Sequence, residues 1–397
     1  MDTILVAGTG PAGLTAAMAL AELGRDVVLA GPPPSSTDRR TSALMRPAVA
    51  FLDGFGLGET LKEVAAPLAA MRIIDATNRL IRSPAVTFRA AEIGEESFGL
   101  NIPNAELNAA LAEKVRENGN ITWQEQIVHA WRPAANHVEA ELADGTIIRA
   151  ALAVAADGRN SPARGAAGIT IRRRDLHQSA LVLNFAHARH HGFASTEFHT
   201  EHGPCTQVPL PDGLRSSLVW VMRPWQAEEL MALDDAALSE RLEERQQSFL
   251  GKVTVEPGRQ VFPLVSALPM RFAARRIALV GEAAHVFPPI TAQGLNLGLR
   301  DVMDLAEVVR THMADPGSTA ALLRYDARRR PDILARSGAV NLVNASLLSD
   351  LLPAQLLRSA GLSLLGSASG LRGFFMREGM RPGSGFAAIL PSILRGA

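Results

Sequence analysis

Residues 3 to 7 (TILVA) form an unbroken apolar run that closes on a glycine cluster, the pattern of a strand buried on both faces. The next stretch, 12 to 23 (AGLTAAMALAEL), carries small and apolar residues suited to a close-packed helix, and Gly24 stops it. A second strand, Asp26 to Ala30, follows directly. Strand, glycine turn, helix and strand thus fit within about thirty residues, the βαβ unit of a doubly wound α/β fold. The polar, proline-rich stretch 31 to 41 reads as a loop.

Farther along, 104 to 117 (NAELNAALAEKVRE) has apolar residues at helical spacing, with Asn104 as cap. From 121 to 156 the pattern is of strands, with Asp144-Gly145 as a hairpin turn, and it predicts a meander feeding back into the first sheet. Residues 178 to 223 are strand-rich around a Pro211-Asp212-Gly213 turn, and 234 to 250 reads as a helix. The segment 275 to 285 (RRIALVGEAAH) predicts a strand ending in a glycine turn, 294 to 313 a helix, and 336 to 375 further helices rich in Leu, Ala and Ser. No internal repeat is visible. The division that follows has a first, discontinuous domain of 1-70, 100-172 and 268-335, a second of 71-99 and 173-267, and a helical segment, 336-397.

A chain of 397 residues, 47% hydrophobic and 20% charged, has globular proportions and can bury a large core. Lys+Arg and Asp+Glu both total 40, so no basic field is available to hold a nucleic-acid backbone. The single cysteine, Cys205, cannot form an internal disulfide and fits a reducing cytoplasm. Met1-Asp2 leads at once into an apolar run with three glycines, unlike a signal peptide. Charges interrupt every long apolar stretch, Asp350, Arg358 and Arg372 among them, so no membrane-spanning helix is predicted.

Gly8, Gly10 and Gly13, in GTGPAG, stand between a predicted strand and a predicted helix, where a dinucleotide pyrophosphate meets backbone N–H groups and the positive end of a helix. GFGLG at 54 to 58 follows no strand and reads as a turn with no cofactor role. The acidic residue expected after the second strand, to accept from the adenosine ribose, is missing: the strand ends Leu29-Ala30-Gly31 before three prolines. His187, His190 and His191 have no carboxylate or thiolate companion in sequence, and no metal site is assigned to them. His285 reads as a residue that packs or bonds locally, and Arg172 to Arg174 and Arg328 to Arg330 as solvated or ion-paired faces.

Ala155-Ala156-Asp157-Gly158, continued as RNSPAR to Arg164, and Gly281-Glu282-Ala283-Ala284-His285, continued as VFPPITAQGLNLGLRD to Asp301, complete a set with GTGPAG. Together they resemble the three FAD-binding signatures of the group A flavoprotein hydroxylases. Within that group the chain is similar to the ubiquinone-biosynthesis hydroxylases through DRRTSAL at 38 to 44, HARHHGFASTEF and GPCTQVPLPDGLRSSLVW at 187 to 220, and LLRSAGLSLL with MREGM near the C-terminus. The likeness covers nearly the whole chain. It implies a Rossmann-like FAD-binding domain with an inserted mixed β-sheet substrate domain, as in p-hydroxybenzoate hydroxylase, followed by C-terminal helices.

The resemblance also implies roles. Gly8, Gly10, Pro11, Ala12 and Gly13 hold the pyrophosphate; Arg40 lies near the phosphates or the flavin ring; Asp157 and Gly158 line the flavin and nicotinamide side. Gly281 and Glu282 meet the ribityl chain, although the family position of Glu282 is usually Asp. Pro289, the one catalytic candidate, sits beside the reactive edge of the flavin, and Gly294, Leu295 and Asn296 present a helix start to its N1–C2=O side. A helix start there stabilises the negative charge of reduced flavin. At Ala105 the family often has a bulkier polar residue or arginine.

The implied reaction is hydroxylation of a phenolic or quinol ring, on a polyprenylated ubiquinone precursor, by NAD(P)H and oxygen through a flavin hydroperoxide. A greasy substrate suggests peripheral contact of the C-terminal helices, about Ala345 to Phe375, with the inner membrane or with a ubiquinone-biosynthesis protein complex. The departures at Gly31, Ala105 and Glu282 leave open a second reading, a non-catalytic member of such a complex. A flavin halogenase is disfavoured, because Trp220 and Trp225 are spaced wrongly for the paired-tryptophan signature.

Overall fold

The first apolar run forms β1 (Ile4–Ala7), all four residues buried, and GTGPAG turns it into α1 (Pro11–Ala21) and then β2 (Val27–Ala30). The computed structural model describes residues 3–77, 83–200, 203–288, 293–348 and 369–380. In the first sheet β1 lies centrally, parallel to β2 on one side and to Leu152–Ala155 on the other, which is why its side chains are apolar on both faces. Ile121–Gln124 adds to β2 in parallel, and Ile277–Leu279 continues the far side. Residues Gly13 to Ala21 of α1 are all buried, wedged against the helices Asn104–Glu117 and Gln293–Thr311. Alanines and glycine let these helices approach closely, and burial of Leu14, Met18 and Leu20 stabilises the contact by roughly 1.5–3 kcal/mol per side chain.

The expected meander divides in two. Ile121–Gln124 and Leu152–Ala155 join the parallel sheet, while Val128–Pro133, Val138–Leu142 and Ile147–Ala150 form a separate antiparallel sheet. Asp144-Gly145 makes its turn, with Gly145 at φ +86°. Two further departures have backbone causes. The strand predicted from 275 begins at Ile277 because Arg275 and Arg276 are left-handed (φ +49° and +62°). The helix predicted to 250 ends at Arg245, since Gln247 and Ser248 are left-handed as well.

The stretch read as a loop leads into β3 (Thr41–Met45), antiparallel to Gly99–Pro103. The second, eight-stranded sheet contains β4 (Ala70–Asp75), β5 (Ile171–His187), β6 (Ala194–Thr200), β7 (Gly203–Pro209) and β8 (Arg215–Met222). Two helices, α2 (Pro224–Ala232) and α3 (Asp235–Arg245), follow it, and β9 (Gln260–Pro269) pairs along β5. Proline at the first position of α2 and the Asp234 carboxylate capping α3 (2.7 Å from Ala237 N) start these helices.

Alternation assigns the two faces of this sheet. Phe185, Phe198, Cys205, Leu218 and Trp220 pack against Leu230, Leu238 and Leu242 of α2 and α3. There, burial pushes the Cys205 thiol up to about 12. On the opposite face Met71 and Val208 pack, together with Ala43 and Met45 of β3, on a small cluster of Leu68, Ala90, Phe98 and Met376.

His187 ends β5, and its ring nitrogens meet the Arg189 carbonyl (2.8 Å) and the Ser216 hydroxyl (3.0 Å). His191 bonds the Leu210 carbonyl and accepts from Phe193 N–H, while His190 accepts from Gly192 N–H. No group of potential metal ligands occurs among the described residues. The chain continues as α4 (Gln293–Thr311), α5 (Thr319–Leu348) and α6 (Ser369–Met380). Among the described residues no helix is long and apolar enough to cross a membrane.

Candidate functional site

The three glycine-bearing segments meet where a side chain could not fit. A Cβ on Gly8 would lie 2.2 Å from the Ala156 carbonyl oxygen and 2.9 Å from Asp157 N, and one on Gly13 would lie 1.9 Å from the Gly8 oxygen. A Cβ on Gly281 would come within 3.0 Å of Ala12 Cβ, and one on Gly298 within 3.1 Å of Gly281 Cα. The β1 turn, the segment after Ala155 and the GEAAH turn are thereby one packed unit, although they lie far apart in sequence.

Gly10 differs from its neighbours. It is exposed, and a Cβ there would meet nothing within 4 Å. Gly10 caps α1 without any side-chain hydrogen bond, Pro11 follows, and the first turn holds no acidic residue. The N–H groups of that turn and the positive helix end are therefore left for an anionic ligand.

At the end of β2, Gly31 has φ +149°, a conformation that L-residues avoid, and its Cβ would lie 2.9 Å from Thr9 Cγ2. The Thr9 hydroxyl donates to the Pro32 carbonyl, and Trp123 Nε1 donates to the Gly31 carbonyl at 2.9 Å. Thr9 thus occupies the space that an acidic side chain after β2 would need. Ala105, half-buried, lies in the first turn of Asn104–Glu117.

Asp157 and Gly158 leave the strand Leu152–Ala155 on the same rim. Burial pushes the Asp157 carboxyl above its ordinary value, against hydrogen bonds from Ser161 and from Ala163 N–H (3.1 Å). Its Oδ1 is buried without a partner among the described residues, an acceptor still to be satisfied. Glu282, exposed, pairs with Arg159 at 3.5 Å; the Asp38 hydrogen bond, with a smaller contribution from the Glu282 charge, holds Arg40 above the ordinary arginine value. Arg40 is held by two bonds to Asp38 (2.8 and 2.7 Å) and lies 5.5 Å over the Phe262 ring. Burial alone would raise the Asp38 carboxyl, yet hydrogen bonds from Arg40 and Asn104 leave it below its ordinary value.

Gly294, exposed, and half-buried Leu295 and Asn296 open α4, whose first turn also lacks an acidic residue. Asn296 ties this helix start to β3: its side chain accepts from Met45 N–H (2.8 Å) and donates to the Ala43 carbonyl (2.7 Å). Pro289 lies outside the described residues. Deeper in α4, fully buried Asp301 accepts from Gly281 N–H (3.0 Å), His285 Nε2–H (2.8 Å) and Arg329 Nε–H (2.7 Å). Burial works against the Arg329 charge, but Asp301 and Asp304 hold its pKa above the ordinary arginine value. His285 is thus a local bonding residue. Arg328 and Arg330 are ion-paired near the surface, whereas Arg329, 1% exposed, is a buried charge and not a face.

Thr9 and Arg159 carry no signal in the sequence, and Arg329 stands in a run that reads as a solvated or ion-paired face. Arg329 had a faint signal, lying three residues before Asp332 on one helix face, but its Asp301 partner is distant in sequence.

The parallel sheet, its Cβ-free cradle, the open N-terminus of α1 and the orphaned Asp157 acceptor are the features of a dinucleotide-binding protein, and this donor set fits FAD. The model of the FAD binding domain family matches residues 1–335. The ubiquinone hydroxylase UbiL of Rhodospirillum rubrum is 34% identical over 387 residues, covering 95% of this chain and 89% of its own. The 3-demethoxyubiquinol 3-hydroxylase of Escherichia coli is 29% identical over 371 residues, 90% of this chain and 93% of that protein. The fold is shared with p-nitrophenol 4-monooxygenase of Pseudomonas putida, at a TM-score of 0.77 and 22% identity over 96% of this chain and 97% of that one. The chain belongs to the FAD-dependent hydroxylase family that includes the ubiquinone hydroxylases.

Three outcomes follow from the geometry. Gly10→Val is expected to leave the unfolding midpoint of the FAD-free protein unchanged while abolishing yellow colour on purification. Gly13→Val has no room for its side chain and is expected to lose both, destabilised by about 3 kcal/mol, the upper range of overpacking. Arg329→Met strands Asp301 and is expected to lower the unfolding free energy by about 3–5 kcal/mol, read from the urea midpoint at constant slope.

Proposed function

We propose that this chain is a monooxygenase that uses FAD, NAD(P)H and oxygen to hydroxylate the phenolic or quinol ring of a polyprenylated ubiquinone precursor. The observation that supports this most directly is the convergence of the glycine segments with the start of α4 on one rim that faces the second sheet. Gly8, Gly10, Pro11, Ala12 and Gly13 would receive the pyrophosphate, with Arg40 near the phosphates. Asp157, Gly158, Gly281 and Glu282 would line the ribityl and flavin side. Gly294, Leu295 and Asn296 would turn backbone donors toward the pyrimidine edge, where reduction leaves negative charge. Pro289 is kept as the residue proposed beside the reactive edge.

Bound FAD, once reduced, supplies the activated oxygen. The chain's own part is to orient the ring and keep water away. The α4 start is fastened to β3 by Asn296, and Ala43 and Met45 of β3 share an apolar cluster with Met71 and Val208 of the second sheet, a connection through which cofactor edge and substrate wall would be positioned together. The non-catalytic reading is not favoured: Thr9 accounts for Gly31, and the cradle itself stays open. We take residues 1-70, 100-172 and 268-335 as the FAD-binding domain, and 71-99 with 173-267 as the substrate domain. A single dinucleotide turn fits a nicotinamide that visits transiently.

The purified protein is expected to be yellow, to oxidise NAD(P)H faster with a prenylated phenol, and to yield a product heavier by one oxygen in mass spectrometry. A colourless protein with no stimulated oxidation overturns the reading. Peripheral membrane contact through the C-terminal segment, much of which lies outside the described residues, belongs to the same proposal. It is tested by liposome co-sedimentation, expected to fall when residues 345–397 are removed; unchanged sedimentation rejects it.

A further inference from the structure

We infer that Glu197 receives the ring hydroxyl of the substrate, held in place by His199 and Thr206; this rests on the hydroxylase reading above. In β6 the side chains of Thr196 and Phe198 point with the α2–α3 layer, Phe198 packing there beside Cys205 and Trp220. Glu197 and His199 therefore lie on the opposite, inner face. Strand register carries a row across that face from Glu197 to Ile73 on β4 and, the other way, to Thr206, Val219 and Val182. All five are half-buried, as are Met71, Ser195, Val208 and Asn184 in the row on one side, whereas Asp75, His199, Pro204, Val221 and Ala180 on the other are buried. On one side Met71 and Val208 share an apolar cluster with Ala43 and Met45 of β3; on the other, Phe262 lies under Arg40. The row is thus a partly exposed strip in which Ile73, Val182 and Val219 accompany one carboxylate and one hydroxyl.

That carboxylate is built in. Its Oε1 is 2.8 Å from His199 Nε2, and its Oε2 is 3.4 Å from the Thr206 hydroxyl. An ionised carboxylate only accepts, so His199 carries its proton on Nε2, and its buried Nδ1 is left without a partner among the described residues. The neighbouring carboxylate, Asp75, beside His199 across β4, is engaged by Thr77 and by Ser83 N–H. Glu197 is thus a fixed, partly exposed acceptor flanked along its row by Ile73, Val219 and Val182, the chemistry that selects a phenol O–H. A hydrogen bond to a carboxylate enriches the ring oxygen and hence the carbons beside it in electron density.

The test compares the FAD-loaded wild type with Glu197→Gln and Glu197→Asp, using a short-chain prenylated phenol and its methyl ether as probes. Wild type is expected to prefer the phenol. Glu197→Gln should raise its KM about tenfold or more, narrow the preference over the ether, and divert NAD(P)H oxidation to hydrogen peroxide, with FAD content unchanged. Glu197→Asp should restore part of the preference. A stimulated wild type whose Gln variant keeps KM, coupling and preference overturns this inference alone; a wild type that neither probe stimulates overturns the hydroxylase reading as well.

Discussion

Three stretches of backbone approach one another more closely than any side chain permits, and everything else in the molecule is arranged around that approach. The carbonyl of Gly8 occupies the space a Cβ of Gly13 would take, and Gly8 itself leans on the peptide of Ala156. Such contacts form only if β1, the strand Leu152–Ala155 and the GEAAH turn are in register, so the parallel sheet and the cradle are one constraint. The apolar strands supply the driving force, burying side chains on both faces, and the glycines convert it into a surface of bare amides.

Charge is handled differently on the two sides of this unit. Behind it, Asp301 and Arg329 are wholly buried, and the desolvation of both is offset only because each has several partners. That arrangement fixes α4 against the GEAAH turn and specifies one orientation of its N-terminus. In front, the ion pairs of Arg159 with Glu282 and Arg40 with Asp38 remain wet. There they contribute little to stability and leave the rim electrostatically adjustable.

Local chemistry was legible in the sequence. β1, the glycine turn, α1 and β2 follow one another within a single unit, and their pattern needs no distant partner. The second and third motifs were legible as members of a set, which placed Asp157 and Gly281 beside Gly8. What escaped was non-local. The strand β3 is short and finds its partner at Gly99–Pro103, across the whole of β4. Gly31 read as a missing carboxylate because nothing in the order of residues says that Thr9 fills its place. Arg329 read as a solvated or paired face because an arginine-rich run looks alike whether its middle member points outward or into an acidic core. The predicted end of α3 failed for a smaller reason: Gln247 and Ser248 adopt a left-handed turn that their identities do not announce.

Because β6 offers odd-numbered residues to one half of the molecule and even-numbered ones to the other, the two sets answer to separate demands. On the inference that Glu197 receives the substrate, exchanges at 195, 197 and 199 retune recognition while Phe198 keeps the helical layer anchored. A single inserted residue would have the opposite effect, swapping a phenylalanine for the carboxylate and emptying the core of its aromatic. Diversification of this wall is therefore expected to proceed by substitution, with changes in length confined to the turns.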